Sequence, residues 1–243
     1  MTDNLSKNLA EIKNINLLKS LESKELEALL SDAKINDYKK DKIIFSANEK
    51  ITNFYILLEG SLKIFAINYD GEESTLQLIK SGESIFNIFE NIFPANVQAV
   101  EDCKVLAISL KKIREFSQKN SGFIKNLLQE AAQKNNELLK QITNLKMTDA
   151  DYKIGQFLLG IAFEKGDKAK DVELKLNKST IASYLGIKPE TLSRSLKRLK
   201  ELGEISVDKN KITFLKKDSL CNYCDAENSK KCSNRKSSFC IHD

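Results

Sequence analysis

Four of the five cysteines in this 243-residue chain fall in the stretch CNYCDAENSKKCSNRKSSFC, Cys221–Cys240, spaced C-x2-C-x7-C-x7-C. Thiolates are soft anionic ligands, and four of them suit either a tetrahedral zinc ion or an iron–sulfur cubane. Cys221 and Cys224 are the stronger half of the pattern, because two intervening residues let one tight turn aim both sulfurs at one metal. Cys232 and Cys240 complete the set, although seven-residue spacings match neither a common zinc finger nor the C-x2-C-x2-C ferredoxin run. Lys230, Lys231, Arg235 and Lys236 lie among these cysteines and can offset thiolate charge. A thiol–disulfide switch would use the same residues without metal, so three chemistries stay open.

A second stretch points to a different chemistry. NKSTIASYLGIKPETLSRSLKRLKELGEI, Asn177–Ile205, reads as two short amphipathic helices around a turn. Ser179 is placed to cap the first helix, which carries Ile181, Ala182 and Leu185 inward. Gly186 permits the tight turn, Ile187 fills the angle, and Pro189 opens the second helix, where its missing N–H costs nothing. Leu192, Leu196 and Leu199 form the inner face of that helix. Glu190, Thr191, Ser193, Arg194 and Lys197 are left outward, with Lys188 and Ser179 beside them. This is the pattern of a helix-turn-helix with a basic, exposed second helix. Arg presents paired donors to guanine and Glu accepts from cytosine, whereas Lys188, Lys197 and Lys200 suit phosphates, which set affinity rather than sequence. EISVDKNKITFL supplies two short alternating runs for a hairpin wing.

The elements that must position these groups follow from periodicity. After a helical N-terminal segment, residues 36–110 alternate as short strands with turns at Glu59-Gly60 and Asp70-Gly71, the signature of a small β-barrel or β-roll. From Ser121 the apolar period becomes helical. Ile124, Leu128, Ala131, Asn135, Leu138, Ile142 and Leu145 step by three and four, a heptad seam. Such a face could pack on its own domain, but a lone Asn at an a position gives up stability to specify register, which argues for a parallel dimer helix. The break at Met147-Thr148 is followed by Asp149 as an N-cap and a helix with Ile154, Phe157, Leu158, Ile161 and Ala162 on one face; EKGDKAKD after it reads as a loop. The expected α+β organisation is a β-roll domain over 1–120, a dimerisation helix over 121–147, a winged helix-turn-helix over 148–217 and a cysteine-rich tail over 218–243.

Charge sharpens the partner. Residues 1–148 carry 20 basic and 20 acidic side chains, whereas residues 175–217 carry 11 and 4. A surplus confined to the helix-turn-helix region suits a polyanion such as double-stranded DNA. The polar N-terminal run MTDNLSKNLAEIKN has no signal-peptide core, and no apolar run approaches the roughly 18 residues of a membrane span, so a cytoplasmic protein with no membrane partner is expected. Reduced thiols in that compartment favour metal binding over disulfides. The sole histidine, His242, follows the last tail cysteine and none precedes it, no glycine-rich phosphate loop appears and no paired carboxylates stand out, so an enzyme, including a thiol-redox enzyme, is disfavoured.

The order of parts, with YILLEGSLKIF in the roll and KPETLSRSLKRLKELGEI in the recognition region, resembles the Crp/Fnr transcriptional regulators across most of the chain. ETLSR is similar to the E-x-x-S-R signature of the Fnr branch, which implies base-reading roles for Glu190, Ser193 and Arg194. The resemblance implies a homodimer on an inverted repeat of TTGAT-like half-sites, with RNA polymerase as the expected further partner. Cyclic-nucleotide-binding members need a cation for the cyclic phosphate, but GESIFNIFENIFPANVQAV is apolar and no Lys or Arg occurs between Lys80 and Lys104. Cyclic AMP is therefore disfavoured. Haem-binding relatives exist as well, but the sole histidine, His242, is in the tail, leaving only Cys103 or another ligand for a haem-type effector in the roll. A lone Cys in a strand run is more simply a small buried residue. Oxygen-sensing members of the Fnr branch hold a [4Fe–4S] cluster, commonly by N-terminal cysteines; here no cysteine precedes Cys103, and the tail supplies the four thiols instead. The family context favours a cluster sensing oxygen, nitric oxide or redox state. Structural zinc in the tail, with the signal entering through the apolar roll, is the alternative.

Overall fold

Two apolar runs, Phe54–Leu58 and Leu62–Ile67, flank Glu59-Gly60, so the chain forms two strands there, β3 (Asn53–Glu59) and β4 (Ser61–Ile67), reversing at Gly60 with φ +93°. The computed structural model describes residues 5, 8–85, 92–146, 149–165, 170–216, 219–224 and 232. These fall in two compact units, Met1–Leu139 and Lys140–Asp243.

In the first unit β1 (Lys34–Tyr38), β8 (Cys103–Ser109), β3 and β6 (Ser84–Ile85) make one antiparallel sheet in that order. β2 (Ile43–Phe45), β7 (Asn96–Ala99), β4 and β5 (Glu73–Lys80) make a second. Phe54, Ile56, Leu57, Leu62, Val97 and Leu106 are fully buried in one shared core, giving the expected β-roll. Two short helices, α1 (Leu9–Lys13) and α2 (Ser23–Leu29), precede the strands, and α3 (Leu110–Lys119) follows them. The sequence reading starts the helical period only at Ser121; α3 is an additional helix, ended by extended backbone at Asn120.

The side chain of Asn120 then accepts from the N–H of Phe123 at 2.8 Å and starts α4, Ser121–Lys146. Phe123 and Leu127 are buried against the roll. Ile124, Leu128, Leu138, Ile142 and Leu145 instead remain 39–66% exposed along the other side, Ala131 is half-buried between them, and Asn135 is exposed. The apolar face therefore has two parts, an inner one that fixes the helix to its own unit and the outer heptad seam.

Met147 and Thr148, the expected break, lie outside the described residues. In the second unit Asp149 Oδ1 accepts from the N–H groups of Asp151 (2.8 Å) and Tyr152 (3.3 Å), capping α5 (Ala150–Lys165) as anticipated. α6 (Lys178–Leu185) and α7 (Pro189–Glu201) follow, then β10 (Ile205–Asp208) and β11 (Lys211–Phe214) form the wing hairpin. Two details depart from expectation. Of the stretch read entirely as loop, Glu164 and Lys165 belong to α5, residues 166–169 lie outside the described residues, and Asp171 opens a third strand, β9 (Asp171–Glu173), which pairs with β11. The cap of α6 is Asn177, whose side chain accepts from Thr180 N–H at 2.8 Å; Ser179 lies inside the helix and is exposed. Asn competes as well as Ser for this role, and two residues of offset decide it. Ile154, Leu158, Val172, Ile181, Leu196, Ile205 and Ile212 form this unit's core. Among the described residues, no helix is long and apolar enough to cross a membrane.

Candidate nucleic-acid interface

α7 follows α6 after a three-residue turn. Gly186 adopts φ +63°, ψ +39°, and its N–H closes the helix onto the Ala182 and Ser183 carbonyls. This left-handed C-cap lets Ile187 turn back under the helix pair, with its own N–H on Ala182 O at 3.0 Å. Pro189 is the first residue of α7, as the missing N–H predicts. Leu192, Leu196 and Leu199 are at most 5% exposed, each contributing roughly 1.5–3 kcal/mol by burial. Ser195 joins this buried face, a position the apolar pattern missed.

The burial of one side fixes the other. Lys188, Glu190, Ser193, Arg194 and Lys197 are exposed, and Thr191 is half-buried with its Oγ1 3.5 Å from Arg194 Nη2. Lys197 faces Glu201 at 3.7 Å, but both are well exposed, and such pairs are worth about 0.3–0.5 kcal/mol. Lys197 thus stays available to a stronger anion. Arg198 is committed otherwise, its Nη1 3.1 Å from the buried Asp151 carboxylate on α5.

A further polar group braces the turn. Lys153 of α5 is only 5% exposed, and its Nζ donates to the carbonyls of Leu185 (3.2 Å) and Leu145 (3.4 Å), the last residues of α6 and close to the end of α4. Leu145 Cδ2 also lies 2.4 Å from where a Cβ on Gly186 would be. Leu145, read from sequence as a seam residue only, therefore also packs on the helix-turn-helix turn. A lysine one helical turn into an apolar face is the one sequence signal that could have flagged Lys153.

The tail begins against the same unit. Cys221–Tyr223 is a short 3-10 turn, and the Cys224 N–H donates to the Cys221 carbonyl at 3.0 Å, so both cysteines of the C-x2-C sit on one reversal of the chain. Cys232 is described only as half-buried, and Cys240 lies outside the described residues. Among the described residues no group of three or more metal-ligating side chains gathers.

In the first unit, Cys103 is buried on β8. Burial, reinforced by the Asp102, Glu101 and Asp37 carboxylates, pushes its thiol up to about 11. A group protonated at neutral pH is a poor nucleophile and a poor metal ligand. Where β6 meets α4 a polar cluster appears that the sequence did not announce. Lys134 Nζ bonds Glu83 and Glu137, each at 3.1 Å, and the Ser84 hydroxyl donates to Glu130. Burial raises the Glu130 carboxyl; it opposes charge on Lys134 too, but Glu83 and Glu137 outweigh it and hold that ammonium above its usual range.

Residues 35–120 match the cyclic nucleotide-binding domain and residues 152–223 the Crp-like helix-turn-helix domain. The chain is 28% identical over 187 residues to the cAMP-activated global transcriptional regulator CRP of Pasteurella multocida, covering 74% of this chain and 90% of that protein. It is 24% identical over 188 residues to the transcriptional activator protein anr of Pseudomonas aeruginosa, covering 75% and 77%. Its fold resembles FixK2 of Bradyrhizobium japonicum with TM-score 0.73 at 19% identity, over 80% of this chain and 98% of that one.

Proposed function

We infer that this chain belongs to the Crp/Fnr family of DNA-binding transcriptional regulators, and we propose that it binds promoter DNA as a homodimer under control of a [4Fe–4S] cluster in its tail. It is a regulator and not an enzyme. The solvent side of α7 supports Glu190, Ser193 and Arg194 as readers of TTGAT-like half-sites, with Lys188, Lys197 and Ser179 toward phosphates. The exposed seam Ile124, Leu128, Ala131, Asn135, Leu138, Ile142 and Leu145 supports pairing of two copies of α4. Bound promoter and dimer together present a surface to RNA polymerase.

The observation that carries the sensory part is the single turn holding Cys221 and Cys224; Cys232 and Cys240 would be the remaining ligands. A turn of this kind fits a metal that needs two thiolates from adjacent positions. The cluster, when bound, supplies sensitivity to oxygen, nitric oxide or redox state. The residues of the chain supply the thiolates, their basic neighbours Lys230, Lys231, Arg235 and Lys236, and attachment to the DNA-binding unit. The arrangement of β6 supports an effector other than cyclic AMP. Glu83 and Ser84 are committed to Lys134 and Glu130, and an anionic phosphate there would face carboxylates.

Anaerobic purification with iron, sulfide and zinc analysis tests this reading. Brown protein with matched iron and acid-labile sulfide, whose operator affinity changes on exposure to air or nitric oxide, is expected. Colourless protein with one zinc per chain and air-stable DNA binding would replace the cluster by structural zinc.

A further inference from the structure

The first tail residues are built into the DNA-binding unit. Ser219 donates to the Glu204 carbonyl at 2.7 Å and accepts from Lys216 N–H at 2.9 Å, while Leu220 N–H donates to the Glu204 carboxylate at 3.1 Å. Leu220, 1% exposed, closes onto the core with left-handed backbone at φ +64°. The turn that follows drives the Tyr223 ring onto Gly155 of α5. A Cβ at Gly155 would stand 2.3–2.6 Å from Tyr223 Cγ, Cβ and Cδ2, so the tyrosine occupies the space of any side chain there. The Tyr223 ring also meets Tyr152 edge-on at 6.3 Å. One residue before Tyr152, Asp151 holds Arg198 of α7.

We propose that Tyr223 is the positioning residue through which the state of the Cys221–Cys224 turn reaches the DNA-reading helix. The route has two links, Tyr223 on α5 and Asp151 on Arg198, and Glu204 anchors the tail just beyond the end of α7. Tyr223 lies between the two thiols, so anything that fixes or releases both fixes or releases its backbone. The contact with Gly155 has no slack, and close-packed contacts pass on displacement rather than absorb it. A shift of the ring moves the first turn of α5, and with it the Asp151 carboxylate that orients Arg198. The consequence is that ligated and unligated tails favour different settings of α7, a population shift between two arrangements.

This inference rests on the tail binding metal, and its test separates the two. Full-length protein is prepared anaerobically as wild type, Tyr223→Ala, Tyr223→Phe and Gly155→Ala, and metal content, operator affinity and hydrogen exchange over α5 and α7 are measured before and after stripping the tail. In wild type and Tyr223→Phe, stripping should change affinity by at least about fivefold, within the usual range of coupling between sites, and alter exchange in α7. Tyr223→Ala and Gly155→Ala should keep their metal, yet show less than about a twofold change and no altered exchange in α7. Gly155→Ala reaches the contact from the other side and guards against a folding defect in Tyr223→Ala. Metal-loaded Tyr223→Ala or Gly155→Ala that responds as wild type does overturns the inference, as does wild type that loses metal with no change in α7. If wild type carries no metal, the cofactor reading falls and the inference is decided by alkylating Cys221 and Cys224 in a Cys232→Ser/Cys240→Ser background. Exchange in α7 must then change with Tyr223 present and stay constant in Tyr223→Ala; constant exchange in both overturns it.

Discussion

Replacing Gly186 with alanine tests the turn on which the DNA-reading helix depends. Two costs arise at this position. The backbone stands at φ +63°, and an L residue there costs about 1–2 kcal/mol; the stiffer unfolded chain of alanine returns about 0.4–1 kcal/mol of that. The new Cβ would also sit 2.4 Å from Leu145 Cδ2. Overpacking costs about 1–3 kcal/mol in closed cores, but Leu145 is 47% exposed and can swing away, so the low end applies. The sum is about 2 kcal/mol, or roughly 8–16 °C in Tm for a unit of about 100 residues. Urea unfolding followed by circular dichroism, with hydrogen exchange localising the loss to residues 178–201, would measure it. Gly186→Asn should retain only the clash, since Asn tolerates left-handed backbone. Gly186→Ala in a Leu145→Ala background should recover about 1 kcal/mol. A Gly186→Ala protein within about 0.5 kcal/mol of wild type would refute both the turn geometry and the contact with Leu145.

Arg194→Ala should cost about 1–3 kcal/mol of operator binding and relax preference at one base pair per half-site, whereas Lys197→Ala should weaken all sequences alike and lower the salt slope by about one; intact sequence preference in Arg194→Ala would mean that another element reads the bases. Leu138→Glu places a charge in the seam and should shift sedimentation toward monomer with loss of operator binding, and an undisturbed dimer would remove α4 as the interface. Glu130 has its folded-state pKa raised by burial, so its folded form binds the proton more tightly than the unfolded chain does; the stability this contributes is present below the unfolded carboxyl's pKa and is lost as pH rises through the folded value. Glu130→Gln should flatten that loss across the mildly acidic range and raise stability at neutral pH, and identical pH profiles of the urea midpoint would discount the burial.

Much of the fold was legible in the sequence because each element carries its own period. Short apolar or alternating runs bounded by turn residues marked the strands of the roll, and steps of three and four marked α4 and the pair α6 and α7. Gly186 and Pro189 stood at the positions where backbone sterics leave few other choices. The exposed side of α7 was legible for the same reason, since three leucines at helical spacing oblige Glu190, Ser193, Arg194 and Lys197 to face water. The C-x2-C turn was local too, a matter of two residues between thiols.

Tertiary structure decided whatever needed two distant stretches to meet. β9 is three residues long and becomes a strand only because β11 offers its edge; no period can be read in so few positions. Lys153 carries only the hint of its place in an apolar face, and its role appears where α4 and α6 end beside it and present two carbonyls. The division of the apolar face of α4 between Phe123 and Leu127 inward and the seam outward required the roll to choose its side. Glu83 and Lys134 are far apart along the chain and pair only where β6 meets α4. Tyr223 on Gly155 is the clearest case. Its sequence neighbours are cysteines, and only the packing of the tail against α5 places that ring where it touches the helix that holds Arg198.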